Sequence, residues 1–133
     1  MIRASRPSSE EGSAVVEFVL VAALLVVLTG LVLQLALVLY VHNVVHDAAM
    51  EGAYRAALAD ARPDDGPAAV RQIVGRAVGD GVVQDVSVTT TGVSSRATVV
   101  VTVVASLPLI GMLGVPGSWE VTARAPRESL TAE

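Results

Sequence analysis

The chain has no cysteine and no lysine, and aromatic residues make up only 3% of its 133 positions. Without cysteine there is no disulfide staple, no thiol nucleophile and no cysteine-held zinc, so any domain outside the cytoplasm must hold together by packing alone. The nine basic residues are all arginine and face thirteen acids, for a net charge of −4. A nucleic-acid surface needs clustered cations to neutralise phosphates, and this chain lacks them, which argues against nucleic acid as a partner. Removing residues 1–12 would take away Arg3, Arg6, Glu10 and Glu11, two charges of each sign, and leave that balance unchanged.

Catalytic patterns are equally scarce. Ser87, Ser94 and Ser95 have no nearby histidine and no nucleophile elbow. Gly111, Gly114 and Gly117 lack the Gly-Lys-Ser/Thr that a phosphate loop requires. The two histidines, His42 and His46, have the i, i+4 spacing of a helical zinc site, but His42-Asn43-Val44-Val45-His46 carries no glutamate to activate water. Asp47 or Glu51 would have to complete such a site, and two histidines at a membrane exit read first as interfacial helix residues. The expectation is a non-enzymatic protein with no cofactor, no bound metal and no small-molecule substrate.

What the sequence does have is hydrophobicity: 53% of residues are apolar, which suits one membrane anchor plus one small domain. Residues 18–41 form a 24-residue run without a charge. As a helix this run spans about 36 Å, enough to cross a hydrocarbon core of about 30 Å with some tilt. It is too long for the apolar core of a cleaved secretory signal, which is usually about 7–15 residues. Arg3 and Arg6 precede it and the next basic residue is Arg55, so the N-terminus is expected in the cytoplasm and the C-terminal part outside.

Polar residues interrupt this run at three places. Glu17 sits at its very start, and a carboxylate near the centre of a membrane helix costs about 2.5–3.5 kcal/mol, so an ionisable group here asks for a function unless it lies at the headgroup boundary. Thr29-Gly30 can loosen the helix or be a tolerated membrane glycine. Gln34 can hydrogen-bond a neighbouring helix. Beyond Val41 the helix is expected to continue, with Ala48, Gly52 and Ala56, and beside them Ala49, Ala53 and Ala57, forming a ridge narrow enough for close backbone approach. Glu51 and Arg55 are placed for a favourable i, i+4 pair on the other side. Arg62-Pro63-Asp64-Asp65-Gly66-Pro67 then reads as the end of the helix.

The remainder predicts a small α+β domain. Residues 68–78 suit a short helix with Val70, Ile73, Val74 and Ala77 on one face, closed by Gly79-Asp80-Gly81. Residues 82–90 and 97–105 are rich in β-branched side chains, with a hairpin connection at 92–96, and a third strand is expected at 119–125. Three strands plus a helical layer are the minimum for independent stability, so the sheet is expected to be antiparallel and packed on the long helix. The apolar loop 107–115 is expected to cover the sheet, because exposed apolar patches are uncommon.

The run Gly12-Ser13-Ala14-Val15-Val16-Glu17-Phe18 resembles the processing site of type IV prepilins. Together with Tyr40-Val41-His42-Asn43-Val44-Val45-His46-Asp47-Ala48-Ala49 and Glu51-Gly52-Ala53, it is similar to the TadE family, pilin-like proteins of tight-adherence (Flp) pilus systems. The resemblance covers roughly residues 10–60, and more loosely Ala123-Arg124-Ala125-Pro126-Arg127-Glu128. Glu10-Glu11 stand where prepilins more often carry a basic residue. The resemblance implies cleavage by a prepilin peptidase between Gly12 and Ser13, with Glu17 becoming the fifth residue and Phe18 the sixth of the mature chain, where Glu17 serves register and assembly.

The expected organisation is a cytoplasmic leader 1–12, a transmembrane helix 13–41, an amphipathic extension 42–61 and an extracytoplasmic α+β domain 62–133. The expected partners are the membrane, the prepilin peptidase and other pilin-like subunits, in the bacterial cytoplasmic membrane and then in a pilus or at the cell surface. Length favours a minor pilin or pseudopilin over a major one. The sequence leaves two alternatives open: a single-pass envelope protein whose exterior domain binds a partner without entering a filament, and a membrane-tethered accessory or metal-binding module using His42 and His46.

Overall fold

The computed structural model describes residues 9–93, 97–106 and 117–128. Its elements are helix α1 (Ser9–Ala57), helix α2 (Asp65–Ala77) and strands β1 (Val83–Thr91), β2 (Thr98–Ser106) and β3 (Ser118–Pro126). The class is the α+β arrangement expected. Contacts divide the chain into two compact units, Met1–Leu37 and Val38–Glu133.

In the first unit α1 is apolar on all sides. Val15, Phe18, Leu24, Leu25, Leu28, Leu31 and Leu33 are all exposed, Phe18 by 74%. A helix with hydrophobic residues all round belongs in a protein core or a membrane. This one has no protein cover over its most apolar stretch, and it is long and apolar enough to cross a bilayer. Thr29 Oγ1 donates to Leu25 O at 2.8 Å, so its hydroxyl is satisfied by its own helix and needs no water.

The second unit is built on valine and alanine. The strands pair in the order β1-β2-β3, both pairs antiparallel. The register sets Val86, Val103 and Val121 in one row, Val88, Val101 and Ala123 in the next, and Thr90, Val99 and Ala125 in the third. Val99, Val101, Val103 and Ala105 of β2 are buried while the residues between them are half-buried, the period-two alternation of a sheet with one covered face. Residues 38–57 of α1 bury Val41, Val45, Ala48, Ala49, Ala53 and Ala57, spaced three or four apart as one helix face requires. Helix α2 packs against β1, and the stripe meets α2 where Gly52 approaches Val70 and Gly66. His42 stands beside Trp119 at one end of β3, and Glu128 N–H donates to Ala57 O at 2.9 Å just past the other. No polar or charged residue is fully buried among those described, so each large valine contributes its full burial, about 1.5–3 kcal/mol apiece.

Two small devices finish the sheet. Register slips between Val83 and Asp85, where Gln84 turns its amide to donate to Gly81 O at 3.0 Å and Ser106 Oγ at 3.1 Å. The irregularity closes the open end of the β1-β2 ladder rather than leaving its carbonyls bare. After β1, Gly92 takes φ +106°, a conformation that favours glycine, at the hairpin connection; residues 94–96 lie outside those described. The expected covering loop 107–115 also lies outside them.

Helix α2 begins three residues earlier than the sequence pattern indicates, and the reason is Pro67. Proline is tolerated in a first turn, where its missing N–H would have no intrahelical partner. Asp65 Oδ2 accepts from Arg62 N–H at 2.7 Å and ties the entry turn down. Gly66, Ala69, Val70 and Val74 are buried, Ile73 is half-buried and Ala77 is exposed. The C-terminus closes as expected, Gly79 at φ +109° giving its N–H to Val74 O.

Helix α1 stops at Ala57, short of the proline turn, because its last carbonyl bonds Glu128 N–H instead of a further helical turn. On its exposed side Arg55 Nε meets Glu51 Oε1 at 2.7 Å, as the spacing predicts. Both partners are well exposed, so Glu51→Ala is expected to cost no more than about 0.5 kcal/mol in thermal unfolding; a larger loss would show this pair to be more than a solvated contact.

Candidate functional site

The segment that carries the sequence signature, Gly12 to Phe18, lies inside α1 with every residue exposed. Glycine inside a helix costs up to about 1 kcal/mol relative to alanine, so Gly12 wants a reason. Packing supplies none: a Cβ at Gly12 would meet nothing within 4 Å, and its φ is not positive. The same holds for Gly30 in the middle of the apolar run. The two differ in their downstream neighbours, because only Gly12 has a carboxylate five positions later.

Glu17 is exposed and makes no hydrogen bond or ion pair among the described residues. It lies one helical turn beyond Ser13, since a rise of 1.5 Å per residue puts their backbones about 6 Å apart along the axis. Positions i and i+4 of a helix share a face, so an amine at Ser13 and the carboxylate of Glu17 are within reach of each other. Phe18 projects fully into the surroundings. Gln34 is half-buried in the first unit, with no side-chain partner among the described residues.

Ala48, Gly52 and Ala56 are occupied within the chain itself. A Cβ at Gly52 would lie 2.5 Å from Val70 Cγ2 and 3.1 Å from Gly66 O; one at Gly66 would lie 2.9 Å from both Ala56 Cβ and Gly52 O. Gly52 on α1 and Gly66 on α2 therefore let two backbones touch. Ala48 is fully buried beside them and Ala56 half-buried. Sequence reading identified Gly52 as a contact residue and missed its counterpart, because Gly66 sits in Asp-Gly-Pro and reads as a turn glycine.

The histidines go separate ways. His46 Nδ1 is 3.9 Å from Asp47 Oδ1 on the exposed surface, while the His42 ring lies 6.1 Å from Trp119, centroid to centroid, tilted by 30°. Among the described residues no three metal-binding side chains converge. Trp119 is half-buried, and its indole N–H is buried without an acceptor among the described residues. Sequence reading did not find this pair, since nothing local links a helix histidine to a strand tryptophan far along the chain.

The surface hollows are shallow. One of ≈ 390 Å³ is bordered by Arg55, Leu58, Asp65, Ala68, Ala69 and Gln72, and another of ≈ 280 Å³ by Arg62, Pro63, Val88, Thr90 and Arg127 with Ala56 and Ala61. Neither lining sets a nucleophile beside a base, which is the minimum geometry for covalent catalysis.

No curated protein and no solved structure matches the chain. Residues 123–128, where the resemblance is looser, lie outside the family match. A family model described as TadE-like protein matches residues 12–53, from the glycine of the candidate cleavage site through the buried small-residue stripe, and this segment is similar to that family.

Proposed function

We propose that the chain is a minor pilin or pseudopilin of a tight-adherence (Flp) pilus system, cut by a prepilin peptidase between Gly12 and Ser13. Until it enters a filament it is held in the cytoplasmic membrane by residues 13–41, with the N-terminus inside and the α+β domain outside. The observation that carries this reading is the spacing of Gly12 and Glu17 on an exposed helix whose fold gives neither residue a packing role. Both make sense as features read by other molecules.

Cleavage would create an α-amine on Ser13. That amine can pair with Glu17 of its own chain, one turn away, or of a neighbour. A buried ion pair adds little net stability, but losing one partner costs about 3–5 kcal/mol, which makes such a pair suited to selecting register during assembly. The exposed apolar helix supplies the surface along which neighbouring subunits would pack, and Gln34 offers one polar contact along it worth about 0.6–2 kcal/mol.

The test is the N-terminal sequence of the protein purified from its own membranes. Ser13 is expected as the first residue. Retention of Met1 or Ile2 would overturn the reading and leave a permanently anchored envelope protein. Glu17 is tested separately: a Glu17→Val chain should be processed but fail to enter filaments, and normal incorporation would remove Glu17 from the assembly mechanism.

A further inference from the structure

We infer that Arg62 and Arg127 form an anion site, and that the group it takes is a phosphate. The inference stands apart from the pilin and membrane readings, because every residue it uses lies in the second unit. Arg62 enters on the turn between α1 and α2, and Arg127 just past the end of β3. The fold brings both to the border of the ≈ 280 Å³ hollow. Among the described residues neither guanidinium makes a hydrogen bond or an ion pair; Arg55, held by Glu51, is the one that does. Arg62 gives its backbone N–H to Asp65 and Arg127 gives its own to Ala97, so both side chains keep all their donors. In a chain of net charge −4, two such cations on one hollow are a concentration of donors that the fold's stability does not explain.

The strand wall adds further donors. Arg127 N–H bonds Ala97 O, so the odd-numbered residues of β2 bond toward β3, and Thr98, Val100 and Thr102 bond toward Thr91, Thr89 and Ser87 of β1. The N–H groups of Val88 and Thr90 therefore stand on the outer edge of β1, and neither has a backbone partner among the described residues. Both residues border the hollow, and Thr90 adds a hydroxyl. A guanidinium is a planar fork that grips two oxygens at once, and carboxylate and phosphate both fit it. Charge and oxygen count choose between them. Two arginines bring two positive charges, which a phosphate group of about −1.5 to −2 matches and a single carboxylate does not. Its three free oxygens also serve both forks and still leave an acceptor for the strand edge. Ala56, Ala61 and Pro63 make the rest of the border apolar, so the phosphate can be free or carried on a small molecule.

The full chain in nonionic detergent tests this through the unfolding midpoint of the second unit, read from Trp119, the only tryptophan. Sodium phosphate replaces sodium chloride slightly above neutral pH and at constant ionic strength. At ten times its dissociation constant, phosphate should raise the midpoint by about 6–11 °C, whereas acetate should move it little. An Arg62→Gln/Arg127→Gln chain should lose this response yet keep its chloride midpoint within about 4 °C, since exposed substitutions outside any ion pair change stability little. Glycerol phosphate identifies the source: a rise equal to that from inorganic phosphate assigns the site to the phosphate alone, and a larger one to a phosphate ester, and either supports the inference. An unchanged midpoint in phosphate overturns it. So does an equal rise in both chains, which is a general salt effect. A larger rise in acetate than in phosphate would overturn it in favour of a protein carboxylate, and that comparison needs only the unaltered chain, so it decides the matter even where the double variant does not fold.

Discussion

Replacing Gly66 by leucine is expected to lower the unfolding midpoint of the second unit by roughly 8–16 °C, read from Trp119 fluorescence of the full chain in detergent micelles. Even a Cβ at Gly66 would sit 2.9 Å from the backbone oxygen of Gly52 and from Ala56 Cβ. A backbone atom cannot rotate away as a side chain can, so α1 and α2 must separate, and forced overpacking of this kind costs about 3 kcal/mol. Better helix propensity returns about 0.8 kcal/mol, leaving a net loss of about 2 kcal/mol. A domain of 60–100 residues loses about 4–8 °C per kcal/mol, and the second unit falls in that range. Gly30→Ala is the control, because nothing lies within 4 Å of its Cβ position. If Gly66→Leu unfolds with the unaltered midpoint, the close approach of the two helices is wrong.

The elements most legible in the sequence were those whose signal is local. Valine and threonine alternation placed all three strands within a residue of their observed bounds, because β-branched side chains and a covered sheet face impose the same period. The apolar run was equally plain. The sequence pattern failed where a distant partner decides the local outcome. Nothing near Ala57 stops a helix; the amide of Glu128 does. Nothing near Pro67 says that proline is entering a helix rather than ending one, and the answer depends on Gly66 fitting against Gly52. Both failures belong to the same corner of the molecule, where α1, α2 and the tail of β3 meet.

The candidate site divides in the same way. Gly12, Ser13, Glu17 and Phe18 stand out in the sequence because this stretch of helix is exposed among the described residues, which leaves their pattern undisturbed. Ala48, Gly52 and Ala56 stand out as small residues at spacing four, but sequence cannot say which surface they meet, and here Gly52 is filled by Val70 and Gly66 of the same chain. A ridge consumed inside its own domain is closed to neighbours. Contact between subunits, under the pilin reading, therefore falls to the exposed half of α1 before Val41, the half that carries Glu17 and Gln34.

A Gly12→Leu chain is expected to keep its leader completely, so that N-terminal sequencing of the membrane protein returns Met1 or Ile2 where the unaltered chain returns Ser13. The substitution isolates recognition from folding. A Cβ at position 12 meets nothing within 4 Å, the backbone there is helical, and leucine is the better helix former by about 0.8 kcal/mol, so the fold gains slightly from the change. Only a molecule that must approach the backbone at this point would object to the larger side chain. A peptidase does so, because it has to draw residues 12 and 13 out of the helix and into its own cleft, where a branched side chain occupies space that glycine leaves empty. Gly30→Leu, which makes the same exchange on the same helix, should leave cleavage unchanged. Cleavage of both variants at Ser13 would show that Gly12 is not what the peptidase reads. Loss of cleavage in Gly12→Leu alone would assign the glycine to recognition, and would tie Glu17 to an α-amine that exists only after the cut.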